Sequence, residues 1–338
     1  MIRIAVDAMG GDHAPGVAVA GALAAAHRLG AALLLVGRED AIRAELASHG
    51  GTRGLDVELR HAPDVVEMGE APTAALRRKS ASSIRVAAEA VAHGDAAALF
   101  SAGNTGAAVV AAHAAFGMLP GVDRPALATT IPTRSGAAVL LDSGATVECR
   151  PQHLLQFAVM GSVFARVALE IPEPRVALLS VGEEASKGND LTRDAHRLLK
   201  QSRLAFVGNV DAREVYSGQA DVIVCDGFTG NVALKVSEGL ADLVERLLRQ
   251  ELSSTFTTRV GYRLSRRAYR RFRRRIDYSE YGGAPLIGLN GLCVVGHGRS
   301  SVKAVLNGVT MAHRFAEIGF VDRVRREMTA LDAAGGDA

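Results

Sequence analysis

The sequence predicts an α/β protein built around a mainly parallel sheet, and three observations predict it. Seven short apolar runs alternate with helical patterns of ten or more residues, the punctuation of βαβ units. Most of these runs end in a glycine-rich or polar loop that opens a helix, and loops at strand carboxyl ends are where open α/β sheets bind ligands. The 338 residues are 48% hydrophobic, enough for a core that needs neither disulfide nor metal staple.

The runs are, in order, Ile2 to Val6, Ala32 to Val36, Ala96 to Phe100, Ala126 to Ile131, Ala137 to Leu141, Arg175 to Leu179 and Asp221 to Cys225. The clearest helix follows the last of them. From Asn231 to Leu252, the residues Val236, Leu240, Leu243, Val244, Leu247, Leu248 and Leu252 fall on one face, the pattern of a core or dimer helix. After the polar break Ser253-Ser254-Thr255, the stretch Arg259 to Arg275 holds nine arginines and no acid, so the rest of the chain is net acidic. On a helical wheel Tyr262, Leu264, Ala268, Tyr269, Phe272 and Ile276 share one face and most arginines point the other way. This predicts two antiparallel helices, a projecting hairpin inserted near Leu252 to Tyr278 with an exposed tip at Phe256. No fixed-period repeat is present. The chain reads as one α/β unit over 1–330, with 331–338 as a disordered tail.

Composition excludes several classes. Cys149, Cys225 and Cys293 form no CxxC pair, which disfavours a structural zinc site and a disulfide framework and points to a reducing cytoplasm. No apolar run reaches the ~18 residues of a membrane span. The start, Met1 to Asp7, lacks the basic-then-apolar pattern of a secretory signal. Aromatics are 4% and Trp is absent, so base stacking is poorly supplied; with an acidic remainder, nucleic acid is not the expected partner of the arginines. The phosphate loop G-x-x-x-x-G-K-[ST], G-x-G-x-x-G after the first strand, G-x-S-x-G, H-E-x-x-H and His-x-x-x-x-Asp are all missing.

What remains is a set of loops suited to anions. In Asp7-Ala8-Met9-Gly10-Gly11-Asp12-His13, paired glycines let backbone N–H groups approach a ligand; His13 is a candidate general base, and Asp12 either orients it or caps the next helix. In Ser101-Ala102-Gly103-Asn104-Thr105-Gly106 a strand ends and a helix begins, with Ser101, Asn104 and Thr105 beside free helix N–H groups, a phosphate-type site. Lys187 sits in Gly182-Glu183-Glu184-Ala185-Ser186-Lys187-Gly188-Asn189-Asp190, where an ammonium can neutralise phosphate or a developing oxyanion. In Asp226-Gly227-Phe228-Thr229-Gly230-Asn231, the carboxylate, the Thr229 hydroxyl and the amide lie near a positive helix end: Asp226 can orient a partner and Asn231 can donate to a carbonyl oxygen.

Taken together, these loops resemble the PlsX family of acyl-ACP:phosphate acyltransferases. The matching segments are Ile4 to Asp12, Ser101 to Ala107, Gly182-Glu183-Glu184 with Lys187-Gly188, Asp226 to Val232, and Tyr278-Ser279-Glu280-Tyr281-Gly282-Gly283, in the family's order over nearly the whole chain. The resemblance implies a three-layer α/β/α fold similar to phosphate acetyltransferases and isocitrate dehydrogenase-like enzymes. It implies that inorganic phosphate attacks the thioester of a long-chain acyl carrier protein, giving free carrier and acyl phosphate for phospholipid synthesis. No metal or organic cofactor is implied. A homodimer is implied, with Lys187, Asp226 and Asn231 at the core of the active site. One segment departs: Asp142-Ser143-Gly144-Ala145-Thr146 stands where the family usually has Asp, aliphatic, Gly, Ala, Asn. The product is labile and amphiphilic and is destined for a membrane glycerol-phosphate acyltransferase. Attachment of a cytoplasmic enzyme to the inner face of the membrane is therefore expected. Phe256, Arg263, Arg266, Arg267 and Arg270 of the hairpin are the expected contacts to anionic lipid or to the acidic carrier.

Overall fold

The computed structural model describes residues 1–52, 54–276 and 280–335. In chain order its elements are β1 (Arg3–Asp7), α1 (Gly16–Leu29), β2 (Ala32–Gly37), α2 (Glu39–Ser48), β3 (Val57–His61), α3 (Pro72–Arg78), α4 (Ser83–Ala92), β4 (Ala98–Ser101) and α5 (Thr105–Phe116). Then come β5 (Ala126–Leu127), β6 (Thr129–Thr133), β7 (Gly136–Leu141), α6 (Pro151–Ala168), β8 (Arg175–Leu179), α7 (Asp190–Gln201), β9 (Ala205–Val210) and β10 (Val222–Val224). The last are α8 (Gly227–Ser254), α9 (Phe256–Ile276), β11 (Ala284–Ile287), β12 (Cys293–Val295), α10 (Val302–Glu317) and α11 (Phe320–Gly335).

Each of the seven apolar runs overlaps a strand, but the strands divide between two sheets. A seven-stranded sheet has the order β3-β2-β1-β4-β12-β11-β5, and a five-stranded sheet the order β6-β7-β10-β8-β9. The run Ala126 to Ile131 is where the chain crosses: β5 pairs with β11 in the first sheet, and two residues later β6 pairs with β7 in the second. A continuous apolar run cannot disclose such a crossing, because both halves are buried equally well. Pairing is parallel among β3, β2, β1, β4 and β12 and among β7, β10, β8 and β9; the antiparallel pairs are β11 with its two neighbours and β6 with β7.

Helices cover these sheets through small side chains. Ala22, Ala25 and Ala26 of α1 and Val305, Val309 and Ala312 of α10 are buried in one core with Val6 and Phe100 of the first sheet. In the same core Phe164 of α6 meets Phe315 of α10 and Phe320 of α11 edge to face, tying the helices of the two sheets together. The helix α11 runs on to Gly335, so 331–335 of the expected tail are helical and 336–338 lie outside the described residues: buried Val324 and Met328 anchor the helix, and the alanines that follow are strong helix formers.

The projecting segment differs from the rest. Within this chain Val236, Leu240, Leu243, Val244 and Leu247 of α8 are exposed, so the stripe is not part of the chain's own core. After the single residue Thr255, α9 begins with Phe256, which is 77% exposed. Tyr262 and Tyr269 of α9 stack edge to face, whereas Leu264 points to solvent. Arg263, Arg266, Arg267 and Arg270 are exposed and enter no ion pair among the described residues. Among the described residues no helix is long and apolar enough to cross a membrane.

Candidate active site

Strand order brings the predicted loops together in two groups. In the first sheet β1, β4 and β12 are parallel neighbours, so the loops after them lie side by side. Gly10 and Gly103 meet there. A Cβ at Gly10 would lie 2.7 Å from an Asp7 oxygen and 2.8 Å from the Gly103 nitrogen, so only glycine permits this approach. The Asp12 N–H donates to the Gly298 carbonyl at 2.9 Å and the Gly296 N–H to the Ser101 carbonyl at 2.7 Å.

The side chains of this group are largely engaged with each other. Ser101 Oγ donates to buried Asp7 at 2.7 Å and accepts from the Gly103 N–H at 3.1 Å. Burial raises the Asp7 carboxyl above its ordinary value, against the lowering effect of its hydrogen bonds. The Asn104 carbonyl oxygen caps α5 at the Ala107 N–H, and its amide donates to the carbonyls of Glu67, Met68 and Glu70. The Asn104 amide, expected from the sequence to offer donors to a ligand, here holds the 67–70 loop. Ser101 is likewise a structural link. Gly10, Gly11 and Thr105 stay half-buried, and Asp12 and His13 are exposed.

In the second sheet β7, β10 and β8 are parallel neighbours, so the loops that carry Asp142, Asp226 with Asn231, and Lys187 share one edge. Asp142 is fully buried and accepts from the N–H groups of Leu127, Gly144, Ala145 and Thr146. Burial raises its carboxyl, opposed by these four donors. Both departures from the family pattern are absorbed here. Ser143 Oγ donates to the Leu127 carbonyl at 3.0 Å, and Thr146 Oγ1 donates to the Pro125 carbonyl at 2.8 Å.

Asp226 caps α8: it accepts from the Thr229 N–H at 2.8 Å and from Thr229 Oγ1 at 2.7 Å. Thr229, expected from the sequence as a phosphate contact, directs its hydroxyl to Asp226. Asn231 lies against Gly144, its side-chain carbon 3.5 Å from where a Cβ would stand, and its amide makes no hydrogen bond among the described residues. Lys187 is exposed, and its ammonium has no partner among the described residues.

The two groups of loops meet at α8. Lys235, one turn beyond Asn231, has Nζ 3.2 Å from a Glu238 oxygen and 3.3 Å from His297 Nε2, and His297 follows β12 in the first sheet. The Arg299 N–H donates to His297 Nδ1 at 3.1 Å, and Nε2 lies 3.6 Å from a Glu238 oxygen. Burial alone would raise the Glu238 carboxyl, but the bond from His297 and the charge of Lys235 bring it below its ordinary value. None of these three residues stood out in the sequence, because the contact joins positions 62 apart.

Chemically the assembly offers two unengaged side-chain donors, on Lys187 and Asn231, and the N-termini of three helices. The helices α5, α8 and α10 all begin at these strand ends, capped by Asn104, Asp226 and Ser301. Their free N–H groups and dipoles favour an anion. Burial pushes the Cys149 thiol up to about 12 and raises buried Cys225 as well, so burial favours the neutral thiol at both. Among the described residues no group of three His, Cys, Asp or Glu could hold a metal ion. Tyr278 and Ser279 of the last matching segment lie outside the described residues.

Residues 2–323 match the model of the family described as fatty acid synthesis protein. The chain belongs to this family. The fatty acid synthesis proteins it resembles include the phosphate acyltransferase of Geobacter sp. (strain M21), 48% identical over 100% of this chain and 95% of the relative. The phosphate acyltransferase of Acidobacterium capsulatum is also 48% identical, over 99% of this chain and 98% of that protein. The PlsX resemblance read from the loops is thus borne out, and the chain is an acyltransferase. Its fold is that of a phosphotransacetylase from Streptococcus pyogenes, matched with a TM-score of 0.62 at 18% identity over 93% of this chain and 94% of that one. The EutD phosphotransacetylase from Staphylococcus aureus matches with a TM-score of 0.55 at 17% identity, over 93% and 94%.

Proposed function

We propose that this acyltransferase moves a long-chain acyl group from the thioester of acyl carrier protein to inorganic phosphate, giving acyl phosphate and free carrier for phospholipid synthesis. The observation that carries the reading is that an unengaged ammonium, Lys187, and an unengaged amide, Asn231, follow the neighbouring parallel strands β8 and β10. A phosphate oxygen attacks the thioester carbonyl carbon and a C–O bond forms. The carbonyl oxygen becomes an oxyanion, and its collapse breaks the C–S bond. The proton on the attacking phosphate ends on the departing carrier sulfur, so no external acid or base is consumed. Phosphate is already a competent nucleophile, so the protein's task is to hold two anionic partners together and to stabilise the oxyanion. Lys187 neutralises phosphate, Asn231 donates to the carbonyl oxygen, and Asp226 presents the first turn of α8 through its cap. The glycine loop Gly10-Gly11, with Asp12, His13 and Thr105 beside it, supplies the opposite wall.

The exposed arginines of α9, with Phe256 and Leu264 beside them, support binding to anionic lipid or to the acidic carrier. The exposed stripe of α8 supports a homodimer. Such an enzyme works at the cytoplasmic face of the membrane, beside the glycerol-phosphate acyltransferase that consumes its product. The test is thiol release from long-chain acyl carrier protein with and without phosphate, the acyl phosphate being trapped as hydroxamate. Phosphate-dependent appearance of both products is expected. Release from acyl-CoA but not from acyl carrier protein would overturn the donor, and silence with both would overturn the reaction. Flotation with anionic vesicles at low and high salt tests the surface; absence of binding at low salt would remove the lipid contact.

A further inference from the structure

We propose that Asn209 is a positioning residue for Lys187, fixing through its side-chain amide the loop that carries the lysine. The proposal rests on the reading that Lys187 meets the substrate. Asn209 is buried at 7% exposure, near the end of β9, the edge strand beside β8. Its Nδ2 donates to the Glu184 carbonyl at 3.1 Å, and the same carbonyl accepts the Lys187 N–H at 2.9 Å. That oxygen closes the turn that ends on the lysine. The other end of the amide is held as well, with Oδ1 2.9 Å from His196 Nδ1 on α7. Reversing the amide would set its oxygen against the Glu184 carbonyl, so Nδ2 is the donor to the loop and His196 donates from Nδ1. His196 is itself braced edge to face against Phe206, with ring centroids 5.1 Å apart.

The strand is bent to make this contact. Val176 pairs with Phe206 but Ala177 pairs with Gly208, so Val207 is an extra residue, a β-bulge, and Gly208 takes φ +105. In a regular strand Phe206 and Asn209 would face opposite sides. The bulge brings both to the side of α7, where both touch His196, while Val210 turns to the core cluster that holds Leu179 and Ala177. A buried amide aimed by a bulge at a single loop carbonyl constrains where a long, exposed lysine begins, and an error of about 1 Å at such a group is costly.

The test uses the full chain and two independent readouts. The rate of tryptic cleavage after Lys187 in the folded protein should rise about 10-fold in Asn209→Ala and in Asn209→Asp, which keeps the volume and the acceptor for His196 but loses the donor. In phosphate-dependent acyl transfer both variants should lose about 10-fold in kcat/KM for inorganic phosphate. His196→Gln, whose amide can still donate to Oδ1, should retain most activity. In a Lys187→Ala background, Asn209→Ala should add no further loss, because the group it positions is gone. The same fractional loss in both backgrounds, or full activity and unchanged cleavage in Asn209→Asp, would overturn the proposal. Full activity of Lys187→Ala would instead overturn the underlying reading, while cleavage still reports whether Asn209 holds the loop.

Discussion

The loops of the seven-stranded sheet and those of the five-stranded sheet meet at α8, yet they carry their polar groups in opposite ways. In the first sheet Asp7 and Ser101 bond each other, and Asn104 holds a neighbouring loop, which leaves the half-buried backbone of Gly10 and Gly11 and the exposed Asp12 and His13. In the second sheet Asp142 and Asp226 take the internal bonds, and Lys187 and Asn231 are left without partners among the described residues. A motif residue's type therefore does not give its role. Asn104 and Asn231 are both amides at a helix start; one holds a loop, and the other is free to meet a substrate.

The sharpest way to break this division is to remove the unengaged groups. Lys187→Ala should lower acyl-phosphate formation about 10³-fold with an unchanged circular dichroism spectrum. Asn231→Ala should cost about 10²-fold, mainly in kcat, as expected for a donor whose bond strengthens at the oxyanion. The engaged groups should instead register as stability. Asp142→Asn turns an acceptor oxygen into a donor facing the Thr146 N–H and should destabilise by about 2 kcal/mol in urea melts. Asn104→Ala should cost about 1 kcal/mol of stability and only a few-fold in rate. A loss of rate as large as that of Asn231→Ala would erase the contrast between the two sheets.

The smallest effect concerns the tie across the two groups of loops. Because the Glu238 carboxyl is lowered in the folded chain, it contributes stability that is fully present above its ordinary value of 4.5 and is lost as pH falls through the lowered range. Asp7 and Asp142, raised by burial, work in the opposite direction, since folding favours their protonated form. The measurement is therefore a difference: Glu238→Gln should flatten part of the acid dependence of the urea midpoint relative to the parent. Identical acid profiles would remove Glu238 from that tie.

Much of the fold was legible, and what was not has physical causes. Edge strand β3 has the sequence VELRH, in which Glu58 and Arg60 interrupt the apolar run because they pair with Arg3 and Asp95 at the sheet margin. Edge strand β9 is broken by Gly208 at its bulge, and β11 contains Pro285. The strand β12 has only three residues, too short for periodicity to register. At the proposed site, Lys187, Asp226 and Asn231 drew notice because each sits in a loop whose glycines and caps are local signals. Glu238, His297 and Asn209 did not, because their contacts depend on strand order and on a bulge that no spacing reveals.

Whether the second sheet's unengaged side chains carry the chemistry is decided by phosphate-dependent hydroxamate formation from long-chain acyl carrier protein, measured side by side for the parent, Lys187→Ala and Asn104→Ala. The parent should give robust product, Asn104→Ala a rate within a few-fold of it, and Lys187→Ala about a 10³-fold loss. A folded Lys187→Ala protein that turns over like the parent would contradict that role.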